Sequence, residues 1–255
     1  MQCLLQKILH VPRVYLFAHP ERCLSDAEFA RYNELLQRRL HGEPIAYILG
    51  EREFYGINLK VTPATLIPRA DTELLVELAL QRVPLHRRCN VLDLGTGSGA
   101  IALAIAQACP QAEVLACDAS AAALAVAQEN ARTLGIGNAS FVQSDWFAAL
   151  DTRRFALIVS NPPYIAAGDP HLAQGDVRFE PISALTSGLD GLDDIRHIIT
   201  QSSSHLLPGG WLLLEHGYDQ AARVRGLLQE AGLDDVFSAC DIAGIERASG
   251  GRIRT

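Results

Sequence analysis

The residues of this chain best placed to do chemistry are Asn161, Pro162, Pro163 and Tyr164, which directly follow the apolar run 155–160. A run of that composition reads as a buried strand. The tetrapeptide ends it, because each proline fixes its own φ, donates no N–H and holds the residue before it extended. Asn161 is therefore expected at the strand's carboxyl end with its side-chain amide free. The carbonyls of Asn161 and Pro162 lack local donors and can accept hydrogen bonds from a ligand, beside the flat face of Tyr164. Such a site suits a planar group bearing –NH2, either a carboxamide or an amino-substituted base. The competing reading is a proline-rich turn closed by a packed tyrosine.

A second group lies upstream. Gly95-Thr96-Gly97-Ser98-Gly99 follows the run Val91–Leu94, where glycines permit a tight turn and let a ligand lie against bare backbone. The spacing G-x-G-x-G departs from the dinucleotide fingerprint G-x-G-x-x-G and suits a nucleotide-type cofactor without a pyrophosphate. Asp118 ends the next apolar run, where an acidic residue can accept ribose hydroxyls; a helix N-terminal charge beside Ser120 is the plainer alternative. Trp146 follows a third strand and can flank an adenine ring or simply pack in the core.

These residues need a scaffold that brings strand ends to one rim. From Asn90 the pattern alternates strands (91–94, 113–117, 140–143, 155–160, 211–215) with helices (100–108, 121–133, 193–206, 220–231), and 236–253 can supply two more strands. Alternation at this spacing implies an α/β fold, a doubly wound parallel sheet with helices on both faces. Ligands of such sheets bind outside the carboxyl ends of the strands. Upstream, Ser25-Asp26-Ala27-Glu28 fits a capping box, and apolar residues recur from Phe29 to Leu40 at helical spacing. Residues 52–69 read as two short strands, a hairpin, and 71–80 as a helix. The long segment 165–191, rich in Gly, Pro and Asp, is expected to form a wall or lid over the site.

Composition narrows the classes. The chain has 255 residues, 49% of them hydrophobic, enough for one large domain or a medium one with an appendage. No apolar stretch reaches membrane-spanning length and no signal peptide is read, so an intracellular location is expected. Six cysteines without a C-x-x-C pair and eight histidines without H-x-x-x-H give no expected disulfide framework or metal site. A net charge of −7 argues against tight binding to a nucleic-acid backbone.

Taken together, the chain resembles class I S-adenosylmethionine-dependent methyltransferases and, among them, the HemK family of peptide chain release factor glutamine N5-methyltransferases. The likeness runs from about residue 41 to the end. It is carried by Gly42-Glu43-Pro44-Ile45-Ala46-Tyr47, Leu66-Ile67-Pro68-Arg69, Asp71-Thr72-Glu73, the glycine loop, Ser144-Asp145-Trp146, 160–164 and Asp176-Val177-Arg178-Phe179-Glu180-Pro181. The Asn-Pro-Pro-Tyr segment is shared with DNA adenine and some RNA guanine methyltransferases; the Ile-Pro-Arg and Arg-Phe-Glu-Pro segments narrow the choice.

The resemblance implies a Rossmann-like, mostly parallel seven-stranded sheet. Its expected divisions are an N-terminal helical docking region over 1–50, a linking β-hairpin over 51–70 and a methyltransferase domain over 71–255. It implies S-adenosyl-L-methionine on Gly95, Thr96, Gly97, Ser98, Gly99, Asp118, Trp146 and Asn161, with S-adenosyl-L-homocysteine as product and no metal. Asn161, Pro162, Pro163 and Tyr164 would bind the glutamine of a class-1 release factor, with Asn161, Pro162 and Tyr164 positioning the reacting amide. A cytoplasmic monomer is expected, with no membrane or nucleic-acid partner. Two departures from the family pattern stand out: the helical region reads as short, as though lacking its beginning, and Ala70 replaces the usual proline after Pro68-Arg69. A base N-methyltransferase using the same tetrapeptide is the main rival; an NAD-dependent oxidoreductase and a silent binding protein fit less well.

Overall fold

The computed structural model describes residues 2–83 and 87–254. Four short helices open the chain: α1 Gln2–Leu9, α2 Arg13–Ala18, α3 Asp26–Leu40 and α4 Ile45–Leu49. The capping box forms as expected, with Glu28 N–H donating to Ser25 Oγ at 3.3 Å and Ser25 N–H to Glu28 Oε2 at 2.8 Å. Leu4, Leu35 and Ile48 close a small core of their own. Strands β1 Glu51–Phe54 and β2 Ile57–Lys60 then pair around Tyr55-Gly56. The expected hairpin over 51–70 is thus too long. Pairing stops at Lys60, because Pro63 and Pro68 cannot donate to a ladder, and 61–69 runs as an irregular strap.

After a 3₁₀ turn at Ala70–Thr72 and helix α5 (Glu73–Leu80), the main sheet assembles. Its elements in chain order are β3 Cys89–Leu94, α6 Ala100–Ala108, β4 Ala112–Asp118, α7 Ala121–Leu134, β5 Ala139–Gln143, β6 Phe155–Ser160, α8 Asp193–His205, β7 Leu206–Glu215, α9 Ala221–Glu230, β8 Asp234–Cys240 and β9 Glu246–Arg252. The seven strands lie in the order β5-β4-β3-β6-β7-β9-β8, with only β9 reversed, so the doubly wound, mostly parallel sheet is borne out. Strand β7 begins at Leu206, five residues before the expected Trp211, because a register shift against β6 absorbs Pro208 and the two glycines after it.

Alternate side chains of the central strands feed two cores. Val91 on β3 packs on one face with Ile105 and Val114, while Leu92 and Leu94 pack on the other with Ile195 and Ile198. Burial on both faces explains the continuous apolar runs. Each fully buried leucine contributes roughly 1.5–3 kcal/mol. From β3 the order runs one way to β4 and β5, and from β6 the other way to β7. The carboxyl ends of β3 and β6 therefore flank the topological switch point, where a crevice must open.

The segment between β6 and α8 is a wall. Ile165 N–H donates to the Leu185 carbonyl at 2.8 Å and Ser187 N–H returns to the Ile165 carbonyl at 2.9 Å, pinning the segment's ends together. Among the described residues no helix is long and apolar enough to cross a membrane.

Candidate active site

The glycine loop turns out of β3 with positive φ at Gly95 (71°), Gly97 (57°) and Gly99 (86°). Two of these positions do different work. A Cβ on Gly99 would meet Leu103 and Ala127 at 3.0 and 3.2 Å, so this glycine lets α6 pack against α7. A Cβ on Gly97 would meet nothing within 4 Å, which leaves its backbone bare toward the crevice. Thr96 and Ser98 point inward and are buried. The Thr96 hydroxyl donates to Asp93 Oδ2 at 2.7 Å, and Ala102 N–H donates to the same oxygen at 3.2 Å. Asp93 Oδ1 is buried without a partner, and burial pushes the carboxyl pKa up to about 7.

In front of the loop lies a cavity of about 370 Å³, lined by Gly95, Gly97, Asp118, Trp146, Asn161 and Pro163 among others. Of the five expected loop positions, Gly95 and Gly97 face it; Thr96, Ser98 and Gly99 support the turn from behind. Asp118 takes the plainer alternative, beside Ser120 at the start of α7, and also stands at the cavity. Its Oδ2 accepts Gly97 N–H and its Oδ1 accepts Ser120 N–H, each at 2.9 Å, while the carboxylate also lines the cavity. Each oxygen keeps a lone pair for a hydroxyl. Trp146 has φ 49°, rare for a bulky residue, and its carbonyl is held by Ser144 Oγ at 2.7 Å. Its ring lies over Gly95, 3.5 Å from where a Cβ would stand.

A second, smaller cavity of about 170 Å³ adjoins the first, lined by Leu66, Arg69, Asn161, Pro162, Tyr164 and Val177 among others. Asn161 borders both. Pro163 faces the larger cavity, Pro162 and Tyr164 the smaller; extended backbone alternates its sides. Ser160 Oγ fixes the tetrapeptide's root by donating to the Leu94 carbonyl at 2.7 Å. The expectation of a free Asn161 amide needs correction. Its Nδ2 donates to Thr72 Oγ1 at 3.2 Å, because the 3₁₀ turn before α5 packs against the strand end, and Oδ1 is the atom left for a ligand. Among the described residues no hydrogen bond reaches the carbonyl of Asn161 or Pro162.

The resemblance extends to known proteins along the whole chain. Residues 1–50 match the model of the PrmC N-terminal domain, and 70–176 that of the methyltransferase small domain. The release factor glutamine methyltransferase of Vibrio cholerae is 52% identical over 99% of this chain and 88% of its own length. That of Bordetella pertussis is 53% identical over 97% and 92%. The chain belongs to the release factor glutamine methyltransferase family. A solved T. thermophilus 16S rRNA methyltransferase, in complex with AdoMet and guanosine, shares the fold, with a TM-score of 0.58 at 23% identity over 80% of this chain and 50% of that one.

Within this family member, four polar residues make contacts that the motifs do not assign: Asp93 and Glu215, and Thr72 and Glu180 from two segments that carry the resemblance. Glu180 is buried and accepts Ile67 N–H at 2.9 Å while pairing with the Arg69 guanidinium, which fastens the wall to the strap. Glu215 ends β7, and its Oε1 accepts the Tyr164 phenol at 3.2 Å. Gln220 Nε2 holds the Tyr164 carbonyl at 3.0 Å. The available signal for Glu215 was its position: an acidic residue closing the apolar run 211–214, at the same rim as Asp118 and Asn161.

Proposed function

We propose that the chain transfers a methyl group from S-adenosyl-L-methionine to the side-chain amide nitrogen, N5, of the glutamine in the Gly-Gly-Gln motif of class-1 peptide chain release factors. The observation that carries this reading is the position of Asn161 on the boundary of two adjoining cavities. The larger has the size of a small-molecule site and the donor set of a nucleoside site. Bare backbone at Gly97, a carboxylate at Asp118 and the Trp146 ring fit a methionine–nucleoside conjugate. S-adenosyl-L-methionine supplies, when bound there, a methyl group activated on a positively charged sulfur.

The chain's residues do the rest. A glutamine amide nitrogen is a poor nucleophile, since its lone pair is delocalised into its carbonyl. Asn161 Oδ1 and the Pro162 carbonyl accept its two N–H bonds, while the Tyr164 ring fixes the amide plane. Acceptors on both hydrogens aim the nitrogen and stabilise the positive charge that grows on it. Leu66 and Val177 add apolar walls to the cavity that receives the amide.

Mass spectrometry of a release factor incubated with the protein and S-adenosyl-L-methionine tests this. One added methyl on the Gly-Gly-Gln glutamine is expected. Incorporation into DNA or RNA in parallel reactions, with none into the factor, would replace the reading with that of a base methyltransferase.

A further inference from the structure

Asn161 and Pro162 answer only half of a carboxamide. Two acceptors take its two N–H bonds, but its carbonyl oxygen also needs a donor once it leaves water. An acceptor left unpaired in a buried site costs its full desolvation. Among the side chains that line the smaller cavity, only Arg69, Asn161 and Tyr164 carry N–H or O–H groups. Two of these are already committed. Asn161 Nδ2 donates to Thr72 Oγ1 at 3.2 Å, and the Tyr164 phenol donates to Glu215 Oε1 at 3.2 Å.

Arg69 has donors to spare. A guanidinium carries five N–H bonds in a planar fork. Among the described residues it uses only Nη2, on Glu180 Oε1, so Nε and Nη1 donate to no protein group. The side chain is nevertheless anchored. The Glu180 side chain is fully buried, and its second oxygen is fixed by Ile67 N–H at 2.9 Å. Arg69 lines the smaller cavity and is absent from the lining of the larger one.

We propose that Arg69 is a substrate-binding residue whose uncommitted N–H groups donate to the carbonyl oxygen of the glutamine side chain. This rests on the reading of the smaller cavity as the glutamine site. The carboxamide is then held at both ends, and its oxygen and nitrogen cannot exchange places. Reversed, it would set its NH2 against the guanidinium and its oxygen against two acceptors. A donor on the oxygen draws electrons away from the nitrogen, so Arg69 serves aim and affinity rather than nucleophilicity. The same groups refuse other side chains. A lysine ammonium meets like charge at Arg69, and a glutamate carboxylate has no hydrogen for Asn161 Oδ1 or the Pro162 carbonyl.

Arg69→Met keeps the aliphatic stem and removes every donor. Its affinity for release factor is compared with that of the parent protein by calorimetry, with S-adenosyl-L-homocysteine present so that no methyl transfer occurs. Two factors are used, one with its Gly-Gly-Gln glutamine intact and one with that glutamine changed to alanine. The parent should bind the intact factor about tenfold or more tightly than the alanine factor. Arg69→Met should lose about tenfold on the intact factor, as for a hydrogen bond from a charged donor. On the alanine factor, which has no carbonyl there to receive, it should lose less than about twofold. Arg69→Met combined with Glu180→Gln, which removes the charge left unpaired, should show the same selective loss. Equal loss on both factors would make Arg69 only a brace for the wall and overturn the inference, as would no loss on either. A parent that binds the two factors alike would instead overturn the reading of the smaller cavity as the glutamine site.

Discussion

Glu180 Oε2 accepts the backbone N–H of Ile67 at 2.9 Å, tying together two segments 113 residues apart in the chain. The Arg69 guanidinium completes the arrangement on the other carboxylate oxygen. The wall over the site and the strap that faces it are thus held by one buried acid, on which the shape of the smaller cavity depends.

Arg69→Ala should therefore act on stability as well as turnover. It leaves the buried Glu180 carboxylate with a single donor, at a cost of roughly 1–3 kcal/mol. In a chain of this size each kcal/mol lowers Tm by about 2–4 °C. Calorimetric melting of Arg69→Ala against Glu180→Gln checks it: the glutamine variant keeps an acceptor for Ile67 and should lose less.

Tyr164→Phe keeps the ring face and loses the phenol that Glu215 receives. Turnover should fall less than in Tyr164→Ala, since the face still holds the amide plane. It should still fall, by about tenfold, because the ring is no longer tethered. Equal, near-complete loss in both variants would mean that the hydroxyl, not the face, does the holding.

The glycine loop offers a contrast between ligand space and packing space. Gly97→Ala places a methyl group in the cavity, where nothing in the protein opposes it, so cofactor affinity should drop by more than tenfold for about 1 kcal/mol of αL strain. Gly99→Ala drives its methyl toward Leu103 and Ala127 and should cost about 1–3 kcal/mol of overpacking. Isothermal titration and thermal melting on both variants should show the two losses separated. Affinity loss confined to Gly99→Ala would contradict the assignment.

Burial holds the Asp93 pKa at about 7, above its unfolded value of 3.8. The folded state therefore binds a proton that the unfolded chain releases between those values. The stability that comes from this is fully present below pH 4 and is lost as pH rises through 7. Asp93→Asn keeps an acceptor for Thr96 and Ala102 while removing the titration. Melting temperatures of the parent should decline more between pH 5 and 8 than those of the variant; parallel slopes would refute the assignment to Asp93.

Much of this was legible in local patterns. The strands and helices from Asn90 onward follow from period, glycine placement and proline, because local sterics and burial on both faces dictate them. The expected Asn161-Pro162-Pro163-Tyr164 turn and the glycine loop lie at strand ends, as alternation requires. The long hairpin failed because prolines inside 61–69 compete with pairing, and the free Asn161 amide failed because Thr72 lies 89 residues away.

By itself, then, the sequence determined the parallel α/β architecture, the family and the identity of the groups at the strand ends, since each depends on periodicity or on short contiguous motifs. Only the tertiary structure decided how those groups divide the work. The split of Pro162 and Tyr164 from Pro163, the double duty of Asp118, the Glu180 fastening and the Glu215–Tyr164 contact all arise between segments distant in the chain. A buried carboxylate takes its meaning from the donors that reach it, and those donors are chosen by packing rather than by neighbours in sequence.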